Sequence, residues 1–306
     1  MAIRGDTCRK IFHRPVIIVL FKMKRTSIIA AWAVFSVMFF TATTPGQAIA
    51  YVLEGPHVLE LSAKAMGNIA ALQINQKLLI YPQTLETAPT AYDETATYVM
   101  PERFRSDIVS DQIQRTHLVF ADSSITVIDG RMAVGESPFD LYQQLLRSRT
   151  RPRLMRTLNR LGVETAISSL GRIEETVVFV LGARYPDESA SQLAIDKETF
   201  LPIRLLLVDR GTTDADRRLE IFYRNWQKVQ SGWFPFQVVF TINGRLAREI
   251  RVTDLRLNPS IPSELMDLEA LKASVALNNA DTPQGQKQEA VDAVQQAVQD
   301  FQKKFE

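Results

Sequence analysis

The segment from Trp233 to Leu257 admits one kind of local structure. Phe234, Phe236, Val238, Phe240 and Ile242 recur at every second position, with Gln237 and Thr241 between them. A side-chain period of two belongs to a β-strand, so the five apolar residues share one face. Asn243-Gly244 follows, a dipeptide that accepts positive φ at both central positions of a two-residue hairpin. Beyond it, Leu246, Ile250 and Val252 alternate against Glu249, Arg251 and Thr253. This predicts a long antiparallel hairpin with one apolar and one solvated face. An isolated strand pair is marginal in water, so the rest of the chain must supply more sheet.

It does. Leu72–Tyr81, Thr95–Met100, Phe104–Val109, Thr116–Phe120 and Ile125–Ile128 read as strands, with turns at Asp122-Ser123-Ser124 and Asp129-Gly130. Glu175–Leu181, Leu193–Ile195, Leu201–Val208 and Arg217–Arg224 read likewise, with a turn over Asp196–Thr199. Three helical stretches interrupt them. Val58, Leu59, Leu61, Ala65 and Met66 form an apolar helix side ending near Gly67. The segment Pro138–Leu161 carries Phe139, Leu141, Tyr142, Leu145 and Leu146, then Leu154, Met155, Leu158 and Leu161, at helical spacing. A short helix is expected over Glu264–Ala273. No internal repeat is present.

The N-terminus reads as an address. Lys22, Lys24 and Arg25 precede an uncharged apolar run from Ile28 to Phe40, then Pro45-Gly46 and Ala48-Ile49-Ala50. A basic cluster, a short apolar core and small residues before the cut describe a secretory signal peptide over residues 1–50. The run is well short of the roughly 20 residues that span a bilayer. Met23 is the expected true start, because Met-Lys-Arg leads directly into the apolar run. Cleavage is expected near Ala50, giving a periplasmic product. The first fifty residues hold seven of the 36 basic and one of the 34 acidic residues. The remainder has 29 basic against 33 acidic residues, a net charge near −4, which offers nucleic acid no electrostatic footing. Cys8, the only cysteine, lies in the leader. The exported part therefore has no disulfide and no cysteine–metal site. At the other end, 278–288 is polar with Pro283 and Gly285 and reads as a linker. Residues 289–306 read as an amphipathic helix, with Val291, Val294, Val298, Phe301 and Phe305 on a narrow seam.

Several segments, in this order, resemble the outer-membrane lipoprotein-sorting family, the LolA-like periplasmic carriers. Met100-Pro101-Glu102-Arg103-Phe104-Arg105 is similar to its strand-opening motif, Ala121–Val127 to the next hairpin, and Ser137-Pro138-Phe139-Asp140-Leu141 to the start of its inserted helix. Leu193–Arg204, Trp233-Phe234-Pro235, Asn243-Gly244 and Asn258-Pro259-Ser260-Ile261-Pro262 complete the pattern. The likeness runs from Val58 to Leu268. It implies a mainly β (α+β) fold over 51–277, an incomplete antiparallel β-barrel with helices covering the concave apolar face. It also implies a carrier that holds acyl chains between sheet and helices. The family's carriers have an arginine before the proline that latches the helical cover; here that position is Met100.

The expected cavity wall is Phe104, Phe120, Phe179, Leu205, Phe236, Val238 and Phe240, an apolar lining that gives affinity without precise polar recognition. An ordinary hydrophobic core would show the same stripe. Six arginines and no lysine fall between Arg147 and Arg160. Arg103, Arg105, Arg149 and Arg153 are the candidate head-group contacts, since arginine forks bind phosphate and carboxylate bidentately. Catalysis has little footing: His57 and His117 are about sixty residues apart, and H-E-x-x-H, G-x-S-x-G, P-loop and G-x-G-x-x-G motifs are absent. No enzyme activity, metal or cofactor is expected. The expected partners are a lipid or lipoprotein acyl chain, delivered towards the outer membrane, and a membrane donor or acceptor protein, with no nucleic acid. The alternative is an envelope lipid-sensing interaction module built on the same fold.

Overall fold

The computed structural model describes residues 52–82, 88–209 and 217–280. The signal peptide, the Met23 start, most of the linker and the C-terminal seam lie outside the described residues. The described chain is built on one antiparallel sheet of thirteen strands, in the order β6-β5-β4-β3-β2-β1-β13-β12-β11-β10-β9-β8-β7. Strands β1 (Ala71–Ile80), β2 (Thr90–Val99), β3 (Arg103–Val109), β4 (Gln114–Phe120), β5 (Ser123–Ile128) and β6 (Arg131–Met132) form one meander. A second meander runs through β7 (Ser168–Ile173), β8 (Thr176–Leu181), β9 (Gln192–Asp196), β10 (Pro202–Asp209), β11 (Arg217–Val229), β12 (Gly232–Ile242) and β13 (Arg245–Leu257). They join where β1 pairs with β13, and the sheet does not close: β6 and β7 are its edges.

The chain passes from one edge to the other through the helical insertion. This consists of a 3-10 turn over Pro138–Leu141, helix α2 (Tyr142–Arg147) and helix α3 (Arg151–Arg160). Together with α1 (Gly55–Met66), the insertion packs on one sheet face. A single apolar cluster there links Ile108 and Val119 at one end of the sheet to Phe179 and Ile195 at the other, through Leu145, Leu146, Leu154 and Leu158 of the helices. The sheet curls around its helices, giving the expected open, mainly β architecture.

Turn chemistry sets the register. Asn243 and Gly244 take φ of 49° and 78°, both positive as a two-residue hairpin demands. The Asn243 side chain accepts from the Arg218 amide at 2.9 Å, tying the turn to β11. Gly67 ends α1 at φ 69°, where a Cβ would lie 2.1 Å from the Ser231 carbonyl oxygen, so only glycine fits.

Two departures from the sequence reading matter. Between Phe240 and Thr241 the pairing skips Ala247, a β-bulge. One extra residue inverts every side chain beyond it. Leu246 is thereby 42% exposed, off the apolar face that it was expected to share with Ile250, while Arg248, in register with Ile250, faces inward beside Phe240. The second departure is on the far face. Helix α4 (Leu268–Ala280), preceded by a 3-10 turn over Ser263–Met266, buries Met266, Leu268 and Val275 against Leu118, Ile125 and Val127. Helices therefore cover part of both faces, and α4 extends beyond the expected Glu264–Ala273. Strand β7 has no counterpart in the sequence reading, because Ser168-Ser169-Leu170-Gly171-Arg172 lacks apolar alternation.

Candidate functional site

Strand parity decides which side chains reach the concave interior. Leu72, Ile74, Gln76, Leu78 and Ile80 point inward from β1 and are buried. Tyr98, Ala96 and Glu94 lie beside Leu72, Ile74 and Gln76, and Phe104, Ser106 and Ile108 beside those. Val119, His117 and Arg115 form the next row. The floor is thus apolar around a polar island, and the island is hydrogen-bonded. Gln76 Nε2 donates to Glu94 Oε2 at 2.7 Å, and the Ser106 hydroxyl donates to Glu94 Oε1. His117 Nδ1 lies 2.8 Å from the Thr126 hydroxyl. Burial holds the His117 pKa below its ordinary value, outweighing the nearby Asp140 carboxylate.

The helical cover brings a carboxylate to this island. Asp140, in the 3-10 turn, accepts from Arg115 Nη2 at 2.5 Å. Its pKa lies below the usual aspartate value: burial pushes it up, but Arg115, His117 and Arg248 together outweigh that. The Arg248 guanidinium stands 3.8 Å from the centre of the adjacent Phe139 ring. Burial lowers Arg248 to a pKa of about 10.

Two spaces meet at this turn. A small cavity of about 30 Å³ is lined by Leu78, Ile80, Glu94, Arg115, Asp140 and Arg248 among others. A larger cleft of about 300 Å³ lies under Pro138 and Leu141, with Leu161, Leu207, Leu219 and Ile242 as its apolar lining and Arg160 and Arg217 at its margin. Phe139 lines both. Its ring, T-shaped on Phe240 at 5.7 Å, is the partition between them.

The expected wall residues divide. Phe104, Phe179, Leu205, Val238 and Phe240 are buried in the concave cluster, with Phe236 half-buried against it. Phe104 packs on Tyr98 and Tyr142, Phe240 on Phe139 and Tyr142, and Phe179 stacks on Phe200. Only Phe240 borders the small cavity; the others are packed core. Phe120 has the opposite parity: it pairs with Arg103, whose guanidinium lies 5.1 Å from its ring, and is 39% exposed on the other face.

The four candidate arginines also separate. Arg105 lies on the outer face, where it chelates Asp107 at 2.6 and 2.8 Å and donates to the Leu265 carbonyl oxygen, holding the turn before α4. Arg103 stays over Phe120. Arg153 pairs with Glu102 at 3.0 Å on the rim of a polar cleft of about 90 Å³ that also holds Arg147, Arg156, Arg160 and Asp122. Arg149 is buried and donates to the carbonyls of Met66 at 2.6 Å, Gly67 at 3.3 Å and Trp233 at 3.1 Å. It therefore staples the insertion to the end of α1 and to β12. Arg147 does the same at the other side, donating to the Glu102 carbonyl at 2.9 Å. Desolvation lowers both to about 10. With methionine at position 100, arginines of the insertion do the fastening, to carbonyls at the end of α1, just before β3 and on β12.

Sequence reasoning did not single out Gln76, Glu94, Arg115, Asp140 or Arg248. A signal existed for the first: Gln76 occupies the inward position that Leu72, Ile74, Leu78 and Ile80 define. Among the described residues, no group of three or more His, Cys, Asp or Glu could hold a metal ion, and no helix is long and apolar enough to cross a membrane.

No protein-family model matches the chain, and no curated protein sequence does. Solved structures are similar to it at low identity. A domain described as an outer membrane lipoprotein-sorting protein, from Vibrio parahaemolyticus, is 12% identical, with 71% of this chain and 98% of that one covered, at a TM-score of 0.49. A LolA superfamily protein from Nitrosomonas europaea is 12% identical over 71% and 99% of the two chains, at 0.46. A DUF1329 family protein from Desulfovibrio piger is 11% identical over 71% and 97%, also at 0.46.

Proposed function

We propose that this chain is a non-enzymatic carrier of the periplasm that holds the acyl chain of a lipid or lipoprotein between its curved sheet and its helical insertion, and delivers it towards the outer membrane. The observation that carries this reading is the largely apolar cleft of about 300 Å³ beside the 3-10 turn, which shares Phe139 with the small inner cavity. Its size is at the lower end for small-molecule sites, and such sites are mostly apolar. The interior behind it is packed, so a long chain enters by displacing the turn, not by filling a standing void. The arginine staples hold the insertion by directional bonds to carbonyls, which can be made and broken as a unit. The cargo class and the compartment are those that the resemblance of the sequence and its leader imply.

Native mass spectrometry of protein purified gently from the envelope, with and without solvent extraction, tests the reading. A bound acylated species that extraction removes is the expected result. Leu207→Trp, which fills the cleft, should abolish it while the protein still folds. A clean protein mass with no uptake of envelope lipids would sink the carrier reading and leave the aromatic floor as plain core.

A further inference from the structure

The last helix of the insertion carries more positive charge than its own stability calls for. Arg153, Arg156 and Arg160 stand at i, i+3 and i+7 of α3 and so share one side of it. Like charges at such spacing oppose helix formation, and Arg153 lies in the first turn, where the helix dipole disfavours a cation. Helix α2 adds the buried Arg147. These four guanidiniums line the polar cleft of about 90 Å³, where Glu102 and Asp122 are the only carboxylates among the lining residues. Arg153 spends one bond on Glu102 at 3.0 Å, and Arg160 one on Asp122. Arg156 is exposed and has no hydrogen bond or ion pair among the described residues. Glu136, outside the lining, lies in the field of Arg160 and Arg147, and with it counted the four cations still outnumber the carboxylates. Arg147 registers the excess: burial is the main cause of its lowered pKa, and the cations of Arg160 and Arg153 add to it. Arg160 also lines the apolar cleft of about 300 Å³. A hollow rich in N–H donors and an apolar cleft thus share one arginine.

We infer that the polar cleft is the seat of a phosphate head group, and that the acyl chain attached to this group lies in the apolar cleft, with Arg160 at the junction. The inference rests on the carrier reading above and names the chemistry of its cargo. A phosphate monoester carries a charge of about −1.5 to −2 at pH 7, opposite in sign to the excess that lines the cleft. Guanidinium forks meet its oxygens two at a time, which an ammonium group does not, and the cations of the cluster are all arginine. Arg153, Arg156 and Arg160 have N–H groups to turn towards it while Arg147 keeps its bonds to Gln143 and the Glu102 carbonyl. An uncharged head group would gain none of these charge-assisted bonds.

Arg156→Gln tests this, because the residue is exposed and its loss breaks no bond among the described residues. Binding of hexadecyl phosphate, hexadecanol and inorganic phosphate would be measured on the full chain near neutral pH, with folding checked by circular dichroism. R156Q should bind hexadecyl phosphate about tenfold more weakly than the wild type does, as expected for the loss of a charge-assisted bond. Hexadecanol affinity should not change. Adding R153Q to R156Q should deepen the loss for the phosphate alone; if the double variant does not fold, R156Q carries the comparison. Leu207→Trp, in the apolar cleft, should weaken both amphiphiles. Unchanged affinity for hexadecyl phosphate in the arginine variants, or equal losses for phosphate and alcohol, would overturn the seat while leaving the carrier. Undiminished binding of hexadecyl phosphate by L207W would overturn the pairing of the two clefts. Inorganic phosphate bound as tightly as hexadecyl phosphate would overturn the amphiphile in favour of a small-anion site. Failure of both amphiphiles to bind the wild type would take the carrier reading down as well.

Discussion

Replacing Phe139 by alanine removes the partition, and the structure allows the cost to be worked out. The side chain is 4% exposed. Burying such a ring is worth about 3 kcal/mol, its T-shaped contact with Phe240 about 1 kcal/mol, and the guanidinium of Arg248 over its face about 1 kcal/mol. These bring the total to about 5 kcal/mol. Part of the ring already fronts open space on two sides, where it has no neighbours to lose. The expected loss is therefore about 4 kcal/mol, inside the usual span for a buried Phe→Ala change. Phe139→Leu keeps most of the burial and forfeits the ring contacts, so about 2 kcal/mol is expected. Urea unfolding reads both as shifts of midpoint at unchanged slope. F139A should also take up hexadecanol more readily, since cleft and inner cavity become one. A loss below about 1 kcal/mol for F139A would mean that the ring is not packed as a partition. So would a leucine variant as unstable as the alanine one.

Three further outcomes follow from the same geometry. Arg149→Met should cost about 2 kcal/mol in urea unfolding, because several charge-assisted bonds to carbonyls are lost and relief of the buried charge offsets only part of them. Acid should act in two stages. Stability falls as the pH drops below 6.5, where the unfolded chain takes up a proton that buried His117, facing Asp140, Arg115 and Arg147, refuses. It falls again below 3.8, where the unfolded chain protonates an aspartate that Arg115, His117 and Arg248 keep ionised in the fold. Melting temperatures across pH should show D140N losing only the lower stage. Arg105→Ala should release the Leu265 carbonyl and speed hydrogen exchange over Leu268–Val275, leaving the concave strands unchanged.

The sheet was legible where one face is buried and the other wet, because alternation then records the pleat. Strands β1, β3, β4, β12 and β13 announce themselves in this way, and Asn243-Gly244 fixes the turn between the last two. Strand β7 does not, since half-exposed serines and a glycine carry no period. The candidate site was legible only in its apolar part. Phe104 and Phe240 follow from parity counted forward from a turn. Leu246 does not, because the bulge at Ala247 inverts the count there and turns an apolar residue towards solvent, while Arg248, in step with Ile250, is a charged residue at an inward position. Phe120 ends β4 one position past the last inward residue, so an aromatic that reads as wall is on the far face. Asp140 is beyond the reach of any period: its role comes from the meeting of an insertion with strands far away in sequence. The arginine row likewise told of positive charge but not of geometry, and Arg149 proved to be a fastener for carbonyls.

A sheet of thirteen strands that never closes has two free margins, and their composition governs what the protein does in the company of its own copies. Unpaired backbone amides at a margin are a template on which another chain can add a strand. Strand β6 spans only Arg131–Met132, too short to seed such growth. Strand β7 is longer, but Gly171 and Arg172 interrupt it, the latter largely solvated. The molecule can thus keep an unsealed rim without recruiting its neighbours into a growing fibril. Crowding at high concentration should accordingly leave it dispersed.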